Sequence, residues 1–309
     1  MPHSAPHVLV VGEALVDEVR RADGTVAEHP GGSPANVALT LGRLGREVRL
    51  AAHLGRDHHG EQVRAWLAAS DVRLTPGSDG APATSVARAV IDASGAATYD
   101  FAITWDVPSG TAATDSTLAV HTGSIAAVLE PGASAVHDLV LAARGRATIT
   151  YDPNARPSLM GTPDAALARI EPLVAAADVV KVSDEDLAWL YPGSAPLEVA
   201  RTWAGRGPAL VVVTYGGEGA VALCAAGEAR VAAPRVQVVD TVGAGDTFMG
   251  ALLDGLWAQD LLGAARREAL RSIDLPTLTD VLQGCVAAAA VTVSRAGANP
   301  PRREELAGG

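Results

Sequence analysis

Five short stretches of the chain, residues 8–11, 48–52, 147–150, 179–182 and 210–213, are almost wholly apolar and rich in β-branched side chains. They lack the polar alternation of a half-exposed strand, so they predict strands buried on both faces. Between them the period changes to that of a helix. One helical pattern runs through Val37, Leu41 and Leu44; Ser33 and Pro34 open it as cap and first helical proline, and Gly45 closes it. Further helical patterns cover residues 62–69, 197–204, 248–257 and 281–293. Strands alternating with helices predict an α/β fold with a mostly parallel central sheet flanked by helices.

Two segments break this rhythm. Residues 14–28 read as a hairpin turning at Asp23-Gly24, and residues 84–103 as another turning near Ser94-Gly95. Neither carries a helix. They predict a small antiparallel β sheet, formed by about 14–30 and 84–105, set on a single α/β domain spanning 1–309. Such a sheet can serve as a lid, as a homodimer contact, or as both. The polar tail after Pro300-Pro301 reads as loose.

Composition narrows the partners. Among 309 residues, 24 Lys+Arg against 35 Asp+Glu leave a net charge of −11. That argues against nucleic acid or an anionic membrane surface, and leaves room for a local phosphate site. Lys181 is the only lysine, so Schiff-base chemistry and a Walker-type phosphate loop are not expected. Cys224 and Cys285 have no metal spacing and read as small buried residues in a reducing compartment. No basic-then-apolar leader opens the chain, and the apolar run at 286–293 is far too short to span a bilayer. The expectation is a cytoplasmic protein. His58-His59 are adjacent rather than three or four apart, and read as exposed loop residues before a helix at Gln62. Gly123-Ser124-Ile125 lacks the second glycine of a hydrolase elbow, and no Gly-x-Gly-x-x-Gly follows the first strand.

The chemistry concentrates in Val239-Asp240-Thr241-Val242-Gly243-Ala244-Gly245-Asp246-Thr247-Phe248. Glycines here precede a helix whose Phe248, Leu252 and Leu256 share one face. Gly243 and Gly245 let backbone N–H groups face a ligand, and the helix N-terminus adds partial positive charge, so the segment reads as an anion hole. Asp246 sits at its mouth. Spacing leaves two readings open: an N-capping aspartate, or a general base for a hydroxyl attacking a phosphoryl group.

Gly-Ala-Gly-Asp-Thr-Phe at 243–248 resembles the C-terminal signature of the ribokinase-like (PfkB) carbohydrate kinases. Gly31-Gly32-Ser33-Pro34-Ala35-Asn36-Val37-Ala38, running on to Leu44-Gly45, resembles their N-terminal signature. The order and separation of the motifs agree, and the resemblance covers essentially the whole chain. It implies a ribokinase-like fold and an ATP-dependent sugar kinase that phosphorylates a primary hydroxyl. Asp246 becomes the catalytic base, with the backbone N–H groups of Val242, Gly243, Ala244 and Gly245 holding the developing charge. Asp17 falls at the family's sugar-binding aspartate, and Gly31, Gly32 and Asn36 join it as acceptor ligands. Arg156, in Asp152-Pro153-Asn154-Ala155-Arg156, becomes a charge clamp on the transferring group.

The resemblance also implies a nucleotide side. Ser183, Thr214, Gly216, Gly217, Gly219, Gly245 and Asn299 border the nucleotide. Asp186 or Glu185 tends Mg²⁺, through water if not directly, and Asp240 is a candidate for K⁺. The family's usual Asn-x-x-Glu is replaced by Ser183 and Asp186, a departure that leaves the metal role of Asp186 open. The same feature favours the rival reading, a sugar- or nucleotide-binding homologue with weak transfer. Gly-Gly-Ser-Pro-Ala-Asn, Asp-Pro-Asn-x-Arg and Ser294-Arg295-Ala296-Gly297-Ala298-Asn299-Pro300 together resemble the fructokinase-like branch, so D-fructose to fructose 6-phosphate is the expected reaction. Ribose, 2-keto-3-deoxygluconate and nucleosides are the alternatives. Arg88, Phe101 and Trp105 are candidate pocket contacts from the second hairpin.

Overall fold

The computed structural model describes residues 5–91 and 97–306. β1 (His7–Val11) leads into a hairpin, β2 (Leu15–Arg21) and β3 (Val26–Gly31), then α1 (Ser33–Arg43), β4 (Val48–Ala51), α2 (His58–Ala68) and β5 (Val72–Leu74). A second excursion, β6 (Val86–Ile91) and β7 (Ala97–Ala102), precedes β8 (Thr117–Gly123), α3 (Gly132–Ala143) and β9 (Thr148–Asp152). Next come α4 (Pro157–Met160), α5 (Pro163–Ala176), β10 (Val179–Ser183), α6 (Asp184–Leu190) and α7 (Pro196–Ala204). β11 (Leu210–Thr214), β12 (Ala220–Cys224) and β13 (Gly227–Val231) follow, then α8 (Ala244–Ala258), α9 (Arg267–Arg271), α10 (Leu275–Val293) and α11 (Arg303–Leu306).

Nine strands form the main sheet in the order β13-β12-β11-β10-β9-β8-β1-β4-β5. Pairing is parallel from β11 to β5, and β12 and β13 add an antiparallel edge. The unbroken apolar strands have the predicted cause. Val8 and Val10 pack into one core with Val37, Leu41, Leu252 and Leu282, while Leu9 and Val11 pack into another with Val136, Ile170, Leu187 and Trp203. A strand that feeds two cores has no polar face. β1, β8, β9 and β10 all run the same way, so their carboxyl ends deliver residues 12–13, 122–124, 152–156 and 183–186 to one edge, where α/β sheets bind ligands.

The smaller sheet has the order β3-β2-β6-β7. Each hairpin is antiparallel, as expected, and the two join through the parallel pair β2–β6. The first turns at Asp23-Gly24, where Gly24 has φ 85°. The expected turn near Ser94-Gly95 lies outside the described residues. Register aligns His29, Asp17, Ala87 and Phe101 in one row, and Glu28, Glu18, Arg88 and Asp100 in the next. Neighbouring rows point to opposite faces.

Four local expectations need correction. Gly32, not Ser33, caps α1: its φ of 104° suits glycine, and a Cβ there would lie 2.6 Å from the Glu13 carbonyl oxygen. His58 and His59 open α2 rather than precede it, because Asp57 accepts from Gly60 N and caps the helix one turn early. The tail is anchored: Arg303 in α11 pairs with the buried Asp254 and donates to the Leu44 carbonyl. Finally, the run at 286–293 is the end of α10, the one helix among the described residues long and apolar enough to cross a membrane. In the fold its Leu278, Leu282, Cys285 and Ala288 are fully buried in the core.

Candidate active site

Gly243 takes the left-handed conformation, φ 75°, and starts α8 so that Asp246 stands in the first turn, 6% exposed. The carboxylate does not cap its own helix. Its Oδ1 accepts from the Ser33 hydroxyl at 2.7 Å and from Asn154 Nδ2 at 3.3 Å, and its Oδ2 accepts from Asn36 Nδ2 at 2.8 Å. Ser33 has left its expected cap role for this contact. Donors from α1 and from the loop after β9 thus orient one acid at a helix N-terminus. Asn154 is held at φ 37° and Ser124 at φ 54°, and non-glycine residues in that region concentrate at sites where geometry is imposed.

The loop's N–H groups divide in two. The Val242 N–H donates to Asp240 Oδ1 at 3.0 Å, and that of Ala244 leans on the Thr241 carbonyl at 3.3 Å. The expectation that Val242 helps hold the developing charge therefore fails, because Asp240 has turned its amide inward. Among the described residues, the N–H groups of Gly243, Gly245 and Asp246 donate to no protein acceptor. They are the donors that the expected anion hole has left to offer.

Beneath the loop lies a floor of buried charge that sequence reasoning missed. Lys181 Nζ pairs with Asp152 Oδ2 at 2.9 Å, and the two side chains are 4% and 1% exposed. A Cβ on Gly245 would lie 2.9 Å from that ammonium. Burial works to lower the Lys181 pKa, and Asp152, Asp186 and Asp246 together raise it, so the lysine stays charged. Burial pushes the Asp152 carboxyl up to about 6, against the pull of Lys181. Burial likewise pushes Glu13 up to about 7, against a hydrogen bond from Ser124. Glu13 Oε2, Asn36 Oδ1, Thr122 Oγ1 and Asp152 Oδ1 are buried without a partner, and buried polar atoms want one. A signal for Lys181 was present: it is a lone charge in a strand buried on both faces.

On the acceptor side, Asp17 projects from β2 with His29 and Phe101 in its row. Asp17 is open to solvent yet crowded by protein, and this desolvation raises its pKa against Arg156 and His29. Gly31 admits it, since a Cβ there would lie 2.5 Å from Asp17 Oδ2. The Arg156 guanidinium donates to Asn154 Oδ1 at 2.7 Å, and its charge reaches both Glu13 and Asp17. Two expected contacts are corrected. Arg88 lies in the opposite row, paired with Glu18 and Asp100. Trp105 is 1% exposed and donates to the Ala126 carbonyl at 3.0 Å, which makes it a core residue.

Among the residues expected to border a nucleotide, Ser183 caps α6 in a capping box with Asp186. Asp186 Oδ1 also accepts from Ala155 N at 2.9 Å, tying α6 to the Arg156 loop. Glu185 is exposed. Thr214 ends β11, and Gly216, Gly217 and Gly219 form the turn into β12; nothing lies within 4 Å of a Cβ placed on Gly216 or Gly217. Asp240 accepts from Val242 N and, at 2.8 Å, from Gly297 N, so it clamps the glycine loop to the closing segment. Asn299 Oδ1 accepts from Arg43 at 2.5 Å.

The model of the pfkB family of carbohydrate kinases matches residues 5–305. A fructokinase of Rhizobium leguminosarum bv. trifolii is 35% identical over 269 residues, 82% of this chain and 81% of that protein. A fructokinase of Klebsiella pneumoniae is 32% identical over 266 residues, 82% and 85% of the two chains. The crystal structure of a fructokinase from Xylella fastidiosa with bound ATP superposes with a TM-score of 0.83 over 97% of each chain at 24% identity, a likeness of fold. With Asp246 set among free amides, the chain belongs to the pfkB family of carbohydrate kinases, phosphotransferases that act on a sugar hydroxyl.

Proposed function

We propose that the chain transfers the γ-phosphoryl group of ATP to the primary hydroxyl of a small sugar, with D-fructose as acceptor and fructose 6-phosphate as product. The observation that carries this reading is Asp246, oriented by Ser33, Asn36 and Asn154 beside the free N–H groups of Gly243 and Gly245. The fructokinase names of the relatives from Rhizobium leguminosarum and Klebsiella pneumoniae support fructose.

Asp246 takes the proton of the hydroxyl as its oxygen bonds to phosphorus, and the bond to the departing ADP breaks. The free amides meet the charge that gathers on the phosphoryl oxygens, each worth a few kcal/mol. Asp17, the unpartnered Asn36 Oδ1 and the backbone at Gly31 and Gly32 bind the sugar, and Arg156 clamps charge from the open side. Ser183, Thr214, the Gly216–Gly219 turn and Asn299 border the nucleotide. The smaller sheet closes over the sugar as a lid, and its exposed Tyr99, Val26 and Val90 suit a second copy of the chain.

A magnesium ion fits here indirectly. Both oxygens of Asp186 already accept backbone N–H groups, from Ala155 and Ser183, so exposed Glu185 and the remaining lone pairs of Asp186 would hold it through water. When bound, Mg²⁺ neutralises phosphate charge. K⁺ would take the remaining lone pairs of Asp240. The test is a coupled assay of ADP formation across ketoses, aldoses, keto-acids and nucleosides. Fructose is expected to give the highest kcat/KM, and a higher value for another class would overturn the acceptor.

A further inference from the structure

Lys181 and Asp152 form a fully buried ion pair in a chain with no other lysine. Such a pair is a poor device for stability alone, since well-packed apolar residues usually do as well. Its place is informative. The ammonium occupies the space beneath Gly245, one residue before the proposed base. The acids that feel its charge are Asp152 on β9, Asp186 on α6 and Asp246 on α8. His121 on β8 also faces it and is neutral, pushed down to about 3 by burial and then by Lys181 itself. Glu13 faces both Asp246 and Arg156. Asp152 has one oxygen on Lys181 and the other buried without a partner, so the pair is only half satisfied and faces the site.

We propose that Lys181, held by Asp152, is a positioning residue for phosphoryl transfer: its ammonium places positive charge under the Gly243–Gly245 backbone and supports that loop from below. It touches neither sugar nor nucleotide and acts through the base and the loop. The role rests on Asp246 being the base. Only a cation close enough to be excluded by a single methyl group at Gly245 can act this way, because in a buried site its field is weakly screened. The Lys181–Asp152 pair is therefore built for charge rather than for packing.

The test uses four variants of the full chain, assayed for kcat, sugar KM and melting temperature. Lys181→Met removes the charge and strands Asp152, so it is paired with Lys181→Met/Asp152→Asn, which removes both charges and leaves a neutral, foldable floor. Asp246→Asn is measured alongside. The double variant is expected to melt near the wild type yet lose about 10–100-fold in kcat, with sugar KM within about threefold. Lys181→Arg should recover most of the lost kcat, since the charge remains. A double variant with wild-type kcat would overturn the proposal and leave Lys181 a structural residue. If Asp246→Asn itself turned over normally, the base assignment would fall instead, which separates the two failures.

Discussion

Replacing Gly243 by alanine tests the loop geometry with a number attached. Gly243 has φ 75° and ψ 2°, where an alanine is less stable by about 1–2 kcal/mol. The new Cβ would lie 2.6 Å from Ala298 Cβ and 3.0 Å from Ala298 Cα. Relieving that overlap moves the closing segment or the loop and adds about 1–3 kcal/mol. The sum, about 2–5 kcal/mol, corresponds to roughly 4–10 °C in Tm for a chain of this size. Gly45 supplies the control: its φ is 76° and nothing lies within 4 Å of a Cβ there. Gly45→Ala meets only the backbone cost, roughly 2–4 °C, and keeps full activity. Gly243→Ala should also turn the Gly243 N–H away from the anion site, at about 10²–10³-fold in kcat. Ala298→Gly in the same chain removes the closer contact and should recover part of both losses. Thermal melts and steady-state kinetics on the four proteins decide the matter. Gly243→Ala as stable as Gly45→Ala, with unchanged kcat, would refute the packing of loop against closing segment.

Two further outcomes follow from the same contacts. Asn36→Ala removes a buried 2.8 Å bond to Asp246 and an acceptor offered to the sugar; a bond to a charged group is worth about 1.5–3 kcal/mol, so kcat/KM should fall about 10–150-fold, and unaltered steady-state kinetics would count against the assignment. Glu13 ionises at 4.5 when unfolded and only at about 7 when folded. Across that interval the folded state alone holds the proton, so stability falls as pH rises from 4.5 towards 7, by about 3 kcal/mol in total. Glu13→Gln removes this dependence: its urea midpoint should match the wild type at pH 4.5 and exceed it at pH 8, and equal midpoints at pH 8 would contradict the burial of this carboxyl with Oε2 left without a partner.

Much of this architecture was legible because it is local. Strands that serve two cores must be almost wholly apolar, and 8–11, 179–182 (Lys181 apart) and 210–213 were readable for that reason. Asp246 was legible because glycines before an amphipathic helix have few uses. What escaped depends on long-range placement. Ser33 has the right chemistry for a cap, and only a carboxylate 213 residues away draws it elsewhere. Arg88 and Phe101 are both pocket-contact candidates in sequence, and only the registers of β2 with β6 and of β6 with β7 decide that Phe101 joins the row of Asp17 while Arg88 joins that of Glu18. Trp105 is a candidate pocket contact in sequence, and Gly132 and the Ala126 carbonyl enclose it in the core instead. Lys181 was discounted because no lysine-dependent motif contains it, yet an isolated charge in a doubly buried strand demands a counter-charge, and Asp152 on the neighbouring strand supplies it.

The account rests on Asp246 as the group that takes the acceptor's proton. Kinetics of Asp246→Asn with calorimetric binding of the same sugar test it most directly. The amide keeps the shape of the side chain and cannot act as a base, so kcat should drop about 10²–10⁴-fold while the sugar Kd stays within about threefold. Turnover at the wild-type rate would contradict the claim outright.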